Sequence, residues 1–220
     1  MVTAVRRAIS AGQIAPGTKL PEELIADQFE TTRAKIRIAF QQLAFENLVE
    51  LKRNRGAFIA NPSAKEAKDV FAARQVIERA TTEIVTRTIT THQIGGLRAI
   101  LTSHARDWDL GRREAAVGGI SQFHRSLAAL AHNEALSTAL ERLILRTSLV
   151  LGLYGTSRGF GAATLRYRLL LDLIERGDSS EASISMGRTL HAMLTDLDLR
   201  NEVSSGQEHV FAPAMLQRPA

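Results

Sequence analysis

Apolar residues recur at helical spacing along most of the chain, and in the first sixty residues they predict three short helices. The first spans residues 2–10 and ends at a turn rich in glycine and proline. The second opens at Pro21, which the first turn of a helix tolerates. The third runs from Thr32, a suitable N-cap, to about Glu46. Together these segments form one compact unit.

The third helix carries two arginines on one face. Arg33 and Arg37 lie four residues apart, whereas Ile36, Phe40 and Leu43 share another face and turn inward. Like charges at this spacing cost a few tenths of a kcal/mol in an isolated helix. Either water and salt absorb this cost, or a polyanion binds outside.

A basic hairpin follows the third helix. Residues 48–52 and 57–60 have the pattern of short strands, and the turn RNRG at 53–56 supplies a glycine for the dihedral angles that a hairpin requires. Three helices followed by such a hairpin predict a winged helix-turn-helix. In this arrangement the third helix enters the major groove of double-stranded DNA, and the wing touches the backbone or the minor groove.

The pattern changes after residues 61–63, a linker whose serine is able to cap the next helix. Helical periodicity then predicts an antiparallel bundle of about six helices, with a break over 155–161. Their approximate ranges are 64–88, 92–108, 112–131, 134–153, 162–176 and 179–199. The expected fold is mainly α, with a winged helix-turn-helix domain at 1–61, an all-helical domain at 62–200 and a loose tail at 201–220.

Composition and charge narrow the class of protein. An apolar share of 45% and a charged share of 23% are ordinary for a globular protein, and the chain has no cysteine. No apolar run is long enough to span a bilayer and no signal-peptide pattern is present, so a cytoplasmic protein without a membrane partner is expected. Residues 31–60 hold six basic and two acidic side chains, which is +4 of the net charge of +5. This cluster suits phosphate binding, although charge alone fits a solvated basic face equally well.

Catalytic motifs are not evident in the sequence. The chain has no Ser-His-Asp order, no glycine-rich phosphate loop and no H-E-x-x-H motif. An enzyme is therefore not expected. The candidate classes are a DNA-binding regulator and a metabolite-binding dimer that has lost its DNA function.

Four segments of the first sixty residues resemble the winged helix of the GntR family. They are GQIAPGTKL at 12–20, PEELIA at 21–26, TTRAKIRIAF at 31–40 and LVELKRNRGAFI at 48–59. Residues 64–195 resemble the all-helical ligand-sensing (FCD-type) domain of the FadR subfamily. The motifs that carry this second resemblance are Arg74 with Glu78, the segment QFHRSL around His124 with Asn133, and the series Asp178, Ala182 and Met186.

The resemblance implies a set of DNA contacts. Arg33 and Arg37 match the family's arginines that contact guanine edges and phosphates. The full set on the recognition helix and wing is Thr32, Arg33, Lys35, Arg37, Arg53, Arg55 and Gly56. Glu23 departs from the pattern, because some members carry a DNA-contacting arginine there and an acid facing phosphate is unfavourable. The resemblance also implies a homodimer on a short palindromic operator, with repression as the commoner mode.

Many members of the subfamily hold a divalent metal with one aspartate and three histidines. The corresponding positions here are Ile120, His124, Tyr167 and Thr189, so only His124 of the ligand set remains. One imidazole with such neighbours binds metals poorly, and we expect neither a metal nor another cofactor. The three polar residues then either form a hydrogen-bonded core or line an effector cavity.

The family implies a small organic acid as the effector that releases the repressor. Without a metal, a cationic side chain must hold the carboxylate, and Arg74 matches the family's inward-facing arginine. The predicted effector site is Arg74, His124, Tyr167 and Thr189, with Arg125, Arg146 and Arg166 as further candidates by position. A salt bridge from Arg74 to Glu78 is the alternative for that arginine, and an acyl compound is the alternative effector because it needs no cationic anchor.

Overall fold

The computed structural model describes residues 1–200 and 210–216; for residues 113–114 and 157–162 it describes the backbone alone. The N-terminal part contains three helices and three strands. In chain order these are α1 (Val2–Ser10), β1 (Lys19–Leu20), α2 (Glu22–Gln28), α3 (Arg33–Phe45), β2 (Val49–Lys52) and β3 (Gly56–Ile59). The predicted helices and the hairpin of the wing are confirmed.

Local chemistry explains where these elements begin and turn. Thr32 caps α3, because its hydroxyl oxygen accepts a hydrogen bond from the backbone N–H three residues later. Glu22 and Glu23 occupy the first turn of α2, where the helix dipole favours negative charge. The turn of the wing places Asn54 at φ 59° and Gly56 at φ 91°, a left-handed backbone that asparagine tolerates and glycine adopts freely.

The strands form one antiparallel sheet in the order β1–β3–β2. Leu51 pairs with Ala57 inside the hairpin, and Lys19 pairs with Phe58 on the other side of β3. The sequence pattern does not predict β1. Two residues are too few to show alternation, and only pairing with the distant β3 makes them a strand.

The C-terminal part is a bundle of six helices in the described residues. They are α4 (Ala64–Thr86), α5 (Thr91–Asp109), α6 (Arg113–Ala129), α7 (Glu134–Tyr154), α8 (Ser157–Glu175) and α9 (Ser179–Thr195). The sequence pattern predicts a break in the helices over 155–161, but α8 already begins at Ser157, so the break is shorter than expected. Glycine costs a helix only about 1 kcal/mol relative to alanine, and packing in a bundle overrides that cost. No helix in this described part of the chain is long and apolar enough to cross a membrane.

The core of the bundle is apolar and closely packed. Phe71, Phe123, Leu170 and Met186 are completely buried in it. Helix α4 lies against α6, α7, α8 and α9, and so runs through the centre of the domain. Any polar side chain on the inner face of α4 must therefore find its partners among the other helices.

The segment after α9 differs from the loose tail expected at 201–220. Residues 210–216, the part of that tail that the structure describes, include a short 3₁₀ helix (Pro213–Met215) and pack on the N-terminal domain. Phe211 is 8% exposed and Leu216 is completely buried in that domain's apolar core. The side-chain amide of Gln28 in α2 donates a hydrogen bond to the carbonyl oxygen of Pro213 at 2.8 Å. Seven residues, of which Phe211, Met215 and Leu216 pack on this core, are too few to show periodicity, so the sequence pattern does not predict their packing.

Helix α7 joins the two domains. The guanidinium of Arg146 donates hydrogen bonds to the backbone carbonyl of Asn47, just after α3, and to the carboxylate of Glu66 in α4. On the same helix, Leu145 and Leu149 are buried in the apolar core of the N-terminal domain. Helix α7 therefore contacts both the bundle and the chain just after α3.

Candidate functional site

Helix α3 presents its two arginines to solvent. Ile36 and Phe40 are 1% exposed and fix the helix on the core. The side chains of Arg33 and Arg37 lie on the opposite face and are 55% and 66% exposed. The helix therefore has the geometry that base and phosphate contacts require: a buried apolar face and a cationic outer one.

Both arginines form ion pairs with the first-turn glutamates of α2. Arg37 Nε donates a hydrogen bond to Glu22 Oε2 at 2.8 Å, and Arg33 Nη2 donates one to Glu23 Oε1. Exposed pairs of this kind contribute about 0–1 kcal/mol, so a competing phosphate or base displaces them at little cost. Glu23, which stands where some family members carry a DNA-contacting arginine, is thus paired with Arg33 in the free protein.

A groove of about 440 Å³ separates α3 from the wing. Glu22, Arg37, Lys52 and Gly56 are among the residues that line it. The groove brings the recognition helix and the wing to one surface. The remaining predicted contact residues, Thr32, Lys35, Arg53 and Arg55, are all exposed.

The wing is stiffened by its aromatic residue. Phe58 is 3% exposed, and its ring centre lies 4.8 Å from Lys52 Nζ and 5.7 Å from Arg55 Cζ. Both distances lie within the range of a cation–π interaction. Lys52 and Arg55 of the wing therefore both contact the buried ring of Phe58.

A second polar cluster lies inside the bundle. Arg74 Nε donates a hydrogen bond to Glu78 Oε1 at 2.6 Å, and the other carboxylate oxygen of Glu78 contacts His124 Nδ1. His124 Nε2 lies 2.7 Å from the Tyr167 hydroxyl, which is 3.0 Å from Met193 Sδ. All five side chains are buried. Helices α4, α6, α8 and α9 thus contribute to one continuous polar chain.

Arg74 and Glu78 are the charged members of this hydrogen-bonded series of side chains. Burial raises the pKa of the Glu78 carboxyl, but Arg74 and His124 together outweigh burial and lower that pKa to about 2. Burial lowers the pKa of His124 despite the opposing carboxylate of Glu78, and burial raises the pKa of Tyr167. At neutral pH the ring of His124 is uncharged. Its Nδ1 donates a hydrogen bond to the Glu78 carboxylate, and its Nε2 accepts one from the Tyr167 hydroxyl.

The residues at the family's metal positions do not fit a divalent ion. Ile120 has no ligand atom, and both ring nitrogens of His124 are engaged by Glu78 and Tyr167. Thr189 is buried, and no hydrogen bond of the described residues joins it to His124 or Tyr167. Across the residues that the structure describes, no group of three histidine or acidic side chains is arranged to hold a metal.

The arginines considered as carboxylate anchors differ in their surroundings. Arg125 and Arg166 each pair with a carboxylate, at 2.6 and 2.7 Å, and Arg146 lies at the domain junction. Arg74 is the most buried of the four, and its Nη2 has no hydrogen-bond partner within the described residues. A buried donor without a partner costs about 1–3 kcal/mol, so an acceptor that reached this nitrogen would be stabilised.

A small apolar cavity adjoins the polar cluster. Ile120, Leu151, Ala163 and Met193 are among its lining residues, and Met193 belongs to the polar chain as well. The cavity has a volume of about 20 Å³, which is room for about one water molecule. An organic effector is larger, so binding here requires the surrounding helices to separate.

Sequence reasoning assigns Glu22 and Met193 to no site, and it considers Glu78 only as a partner of Arg74. The i, i+4 spacing on α4 reveals the Arg74–Glu78 pair, but the link from Glu78 to His124 joins residues that are distant in the chain. For Glu22 the available signal is a first-turn acid fifteen residues before Arg37. That signal is ambiguous, because helix N-termini attract acids in any case.

Both parts of the chain match described protein families. Residues 2–59 match the family described as bacterial regulatory proteins, gntR family, and residues 69–192 match the FCD domain. The chain is 27% identical over 136 residues to the Uxu operon transcriptional regulator of Escherichia coli K12, covering 55% of this chain and 53% of that protein. It is 33% identical over 89 residues to the HTH-type transcriptional repressor RspR of the same organism, covering 40% and 39%. The chain thus spans about half or less of the length of these two relatives.

Solved structures show the same fold. The structure of McbR/YncC of Escherichia coli superposes with a TM-score of 0.78 at 16% identity, and the match covers 88% of this chain and 94% of that chain. At this identity the likeness shows the fold alone. The FCD match by itself covers more than half of the chain, and the winged helix precedes it in the expected order. The chain belongs to the gntR family of bacterial regulatory proteins, among the members that carry an FCD domain.

Proposed function

We propose that this protein is a ligand-responsive DNA-binding transcriptional regulator. The observation that carries the proposal is the groove where Arg37 of α3 faces Lys52 of the wing, with Arg33 exposed on the same helix. Arg33 and Arg37 read base edges in the major groove, with Thr32 and Lys35 on the adjoining phosphates. Arg53 and Arg55 serve the wing, where they contact the backbone or the minor groove.

The assembly follows from the same proposal. One winged helix reads half of a palindromic site, so a homodimer on double-stranded DNA is proposed, with the two-fold axis of the protein on that of the operator. Repression is the proposed mode, in keeping with the printed name of the relative RspR. We propose a cytoplasmic location and no catalytic activity, since transcriptional regulation is the activity of the family.

Two classes of effector have support in the bundle. A small organic acid is supported by the buried Arg74 Nη2, which has no acceptor among the described residues. An acyl compound is supported by the apolar cavity beside Met193, and by the carboxylate of Glu78, which already compensates the charge of Arg74. Either ligand is larger than this cavity, so the helices that line it, α6, α7, α8 and α9, would have to move apart. Helix α7 connects the bundle to the recognition helix through Arg146 and Asn47.

DNA binding is tested with a labelled duplex from the region upstream of the protein's own gene, by fluorescence anisotropy at several salt concentrations. The Arg33→Ala/Arg37→Ala variant should bind about a hundredfold more weakly, because each bidentate contact to a guanine is worth about 1–3 kcal/mol. The matched control, Arg87→Ala/Arg98→Ala, removes an exposed and a partly exposed arginine of the bundle and should keep the wild-type affinity. Equal affinity of the two double variants would contradict the proposal.

The second candidate function is a metabolite-binding dimer without DNA binding. It is favoured by the ion pairs of Arg33 and Arg37 with Glu23 and Glu22, which neutralise the recognition face in the free protein. This candidate predicts no binding to the duplex even at low salt. It also predicts that small organic acids or acyl compounds raise the melting temperature in a thermal-shift screen. Salt-sensitive DNA binding by the wild type excludes it.

A further inference from the structure

Arg33 and Arg37 form their ion pairs through different nitrogens. Arg37 hydrogen-bonds through Nε to Glu22, and this is its one hydrogen bond within the described residues. Its terminal nitrogens, Nη1 and Nη2, therefore remain as an open fork. Arg33 instead bonds to Glu23 through a terminal nitrogen, Nη2. Arg37 therefore keeps an end-on pair of parallel donors, Nη1 and Nη2, which matches the two acceptors O6 and N7 of guanine.

Glu22 is also better fixed than Glu23. The side chain of Glu22 is 27% exposed and that of Glu23 is 67% exposed. Glu22 lines the groove between α3 and the wing together with Arg37 and Gln41. A carboxylate held in this groove at 2.8 Å from Nε restricts the rotamers of a long side chain before any partner arrives.

We infer that Glu22 is a positioning residue for base recognition: it holds Arg37 by Nε so that the terminal fork reads one guanine in each half-site. The inference rests on the proposed function. The hydrogen bond between Glu22 and Arg37 can persist when DNA binds, because Nε does not take part in the guanine contact. Charge neutralisation by Glu22 at the same time weakens the attraction of Arg37 to phosphate, which favours base reading over non-specific binding.

The inference is tested by selection from a library of randomised double-stranded DNA with the full-length protein, followed by affinity measurements on the selected duplex and its single-base variants. Glu22→Asp is the decisive variant. It keeps the negative charge and an acid in the first turn of α2, but the side chain is one methylene too short to reach Nε. Glu22→Gln keeps the reach and an acceptor oxygen but loses the charge. Glu23→Asp is the matched control on the neighbouring pair.

Glu22→Asp and Arg37→Ala should both lose about tenfold of the preference for guanine, at the same position of the site. The double variant should lose no more there than Arg37→Ala alone. Glu22→Gln should keep most of the preference, and Glu23→Asp should keep all of it at that position. Glu22→Asp should retain the wild-type salt dependence, because its charge is unchanged.

Two outcomes would overturn the inference. One is a wild-type base preference in Glu22→Asp at every position. The other is a loss of guanine preference in Glu23→Asp as large as that in Glu22→Asp, which would mean that the hydrogen bond to Nε of Arg37 does not set the preference. If the wild-type protein enriches no sequence, the proposed function itself fails, and the inference fails with it. Melting temperatures of the variants separate these outcomes from loss of folding.

Discussion

Replacement of Glu78 by glutamine removes the one carboxylate that compensates Arg74 inside the bundle. Both side chains are only 2% exposed, so water cannot take the place of the lost charge. Loss of one partner from a buried pair typically costs about 3–5 kcal/mol. The lowering of the Glu78 pKa from an ordinary 4.5 to about 2 corresponds to about 3 kcal/mol, in agreement with that range.

The assay is unfolding by heat and by urea, followed by circular dichroism. In a chain of this size 1 kcal/mol shifts the melting temperature by about 2–4 °C, so Glu78→Gln should melt about 6–20 °C lower than the wild type. The matched control is Glu83→Gln, on the same helix and also paired with an arginine four residues away, but with its side chain 45% exposed. Its cost should stay below about 0.5 kcal/mol.

A refutation would be a loss in Glu78→Gln as small as that in Glu83→Gln. Replacement of both partners, as Arg74→Met/Glu78→Leu, removes the buried charge altogether. It should therefore be more stable than Glu78→Gln alone. A double variant that is less stable than the single one would show that the hydrogen bonds to His124, and not the charge, dominate.

Three further results are expected. The free energy of unfolding of the wild type should fall as pH drops below about 6.5, because His124 takes up a proton in the unfolded chain and stays neutral in the folded one. It should fall again between pH 4.5 and 2, where Glu78 is protonated. Urea unfolding at several pH values should show that Glu78→Gln lacks this second fall. Leu216→Ala should cost about 2–5 kcal/mol by thermal unfolding, whereas Val210→Ala, at an 85% exposed position, should cost almost nothing. Arg146→Ala should speed amide hydrogen exchange just after α3, since the carbonyl of Asn47 loses its partner.

Most of the fold was predictable because its signals are local. Caps at Thr32 and Ser63, the glycine of the wing and helical periodicity all act within a few residues. The predictions fail where the structure of a segment depends on residues that are distant in the sequence. Strand β1 exists only through β3, and residues 210–216 are ordered by a core that lies far away in sequence.

In the candidate sites, too, the local features were predictable and the contacts between distant residues were not. The outward direction of Arg33 and Arg37 follows from the spacing of apolar residues on one helix. Their glutamate partners depend on how α2 crosses α3, which no periodicity encodes. In the bundle, the hydrogen bond between His124 and Tyr167 was one of two alternatives, and the carboxylate that completes the chain lies on a third helix.

The docked segment at 210–216 has a consequence for the order in which the protein matures. Phe211 and Leu216 supply part of the apolar core around α2, yet they are synthesised after every helix of the bundle. A nascent chain therefore carries an N-terminal domain whose core is incomplete until the ribosome has translated the segment, while the six helices of the bundle are already made. The N-terminal domain is thus made first and completed last.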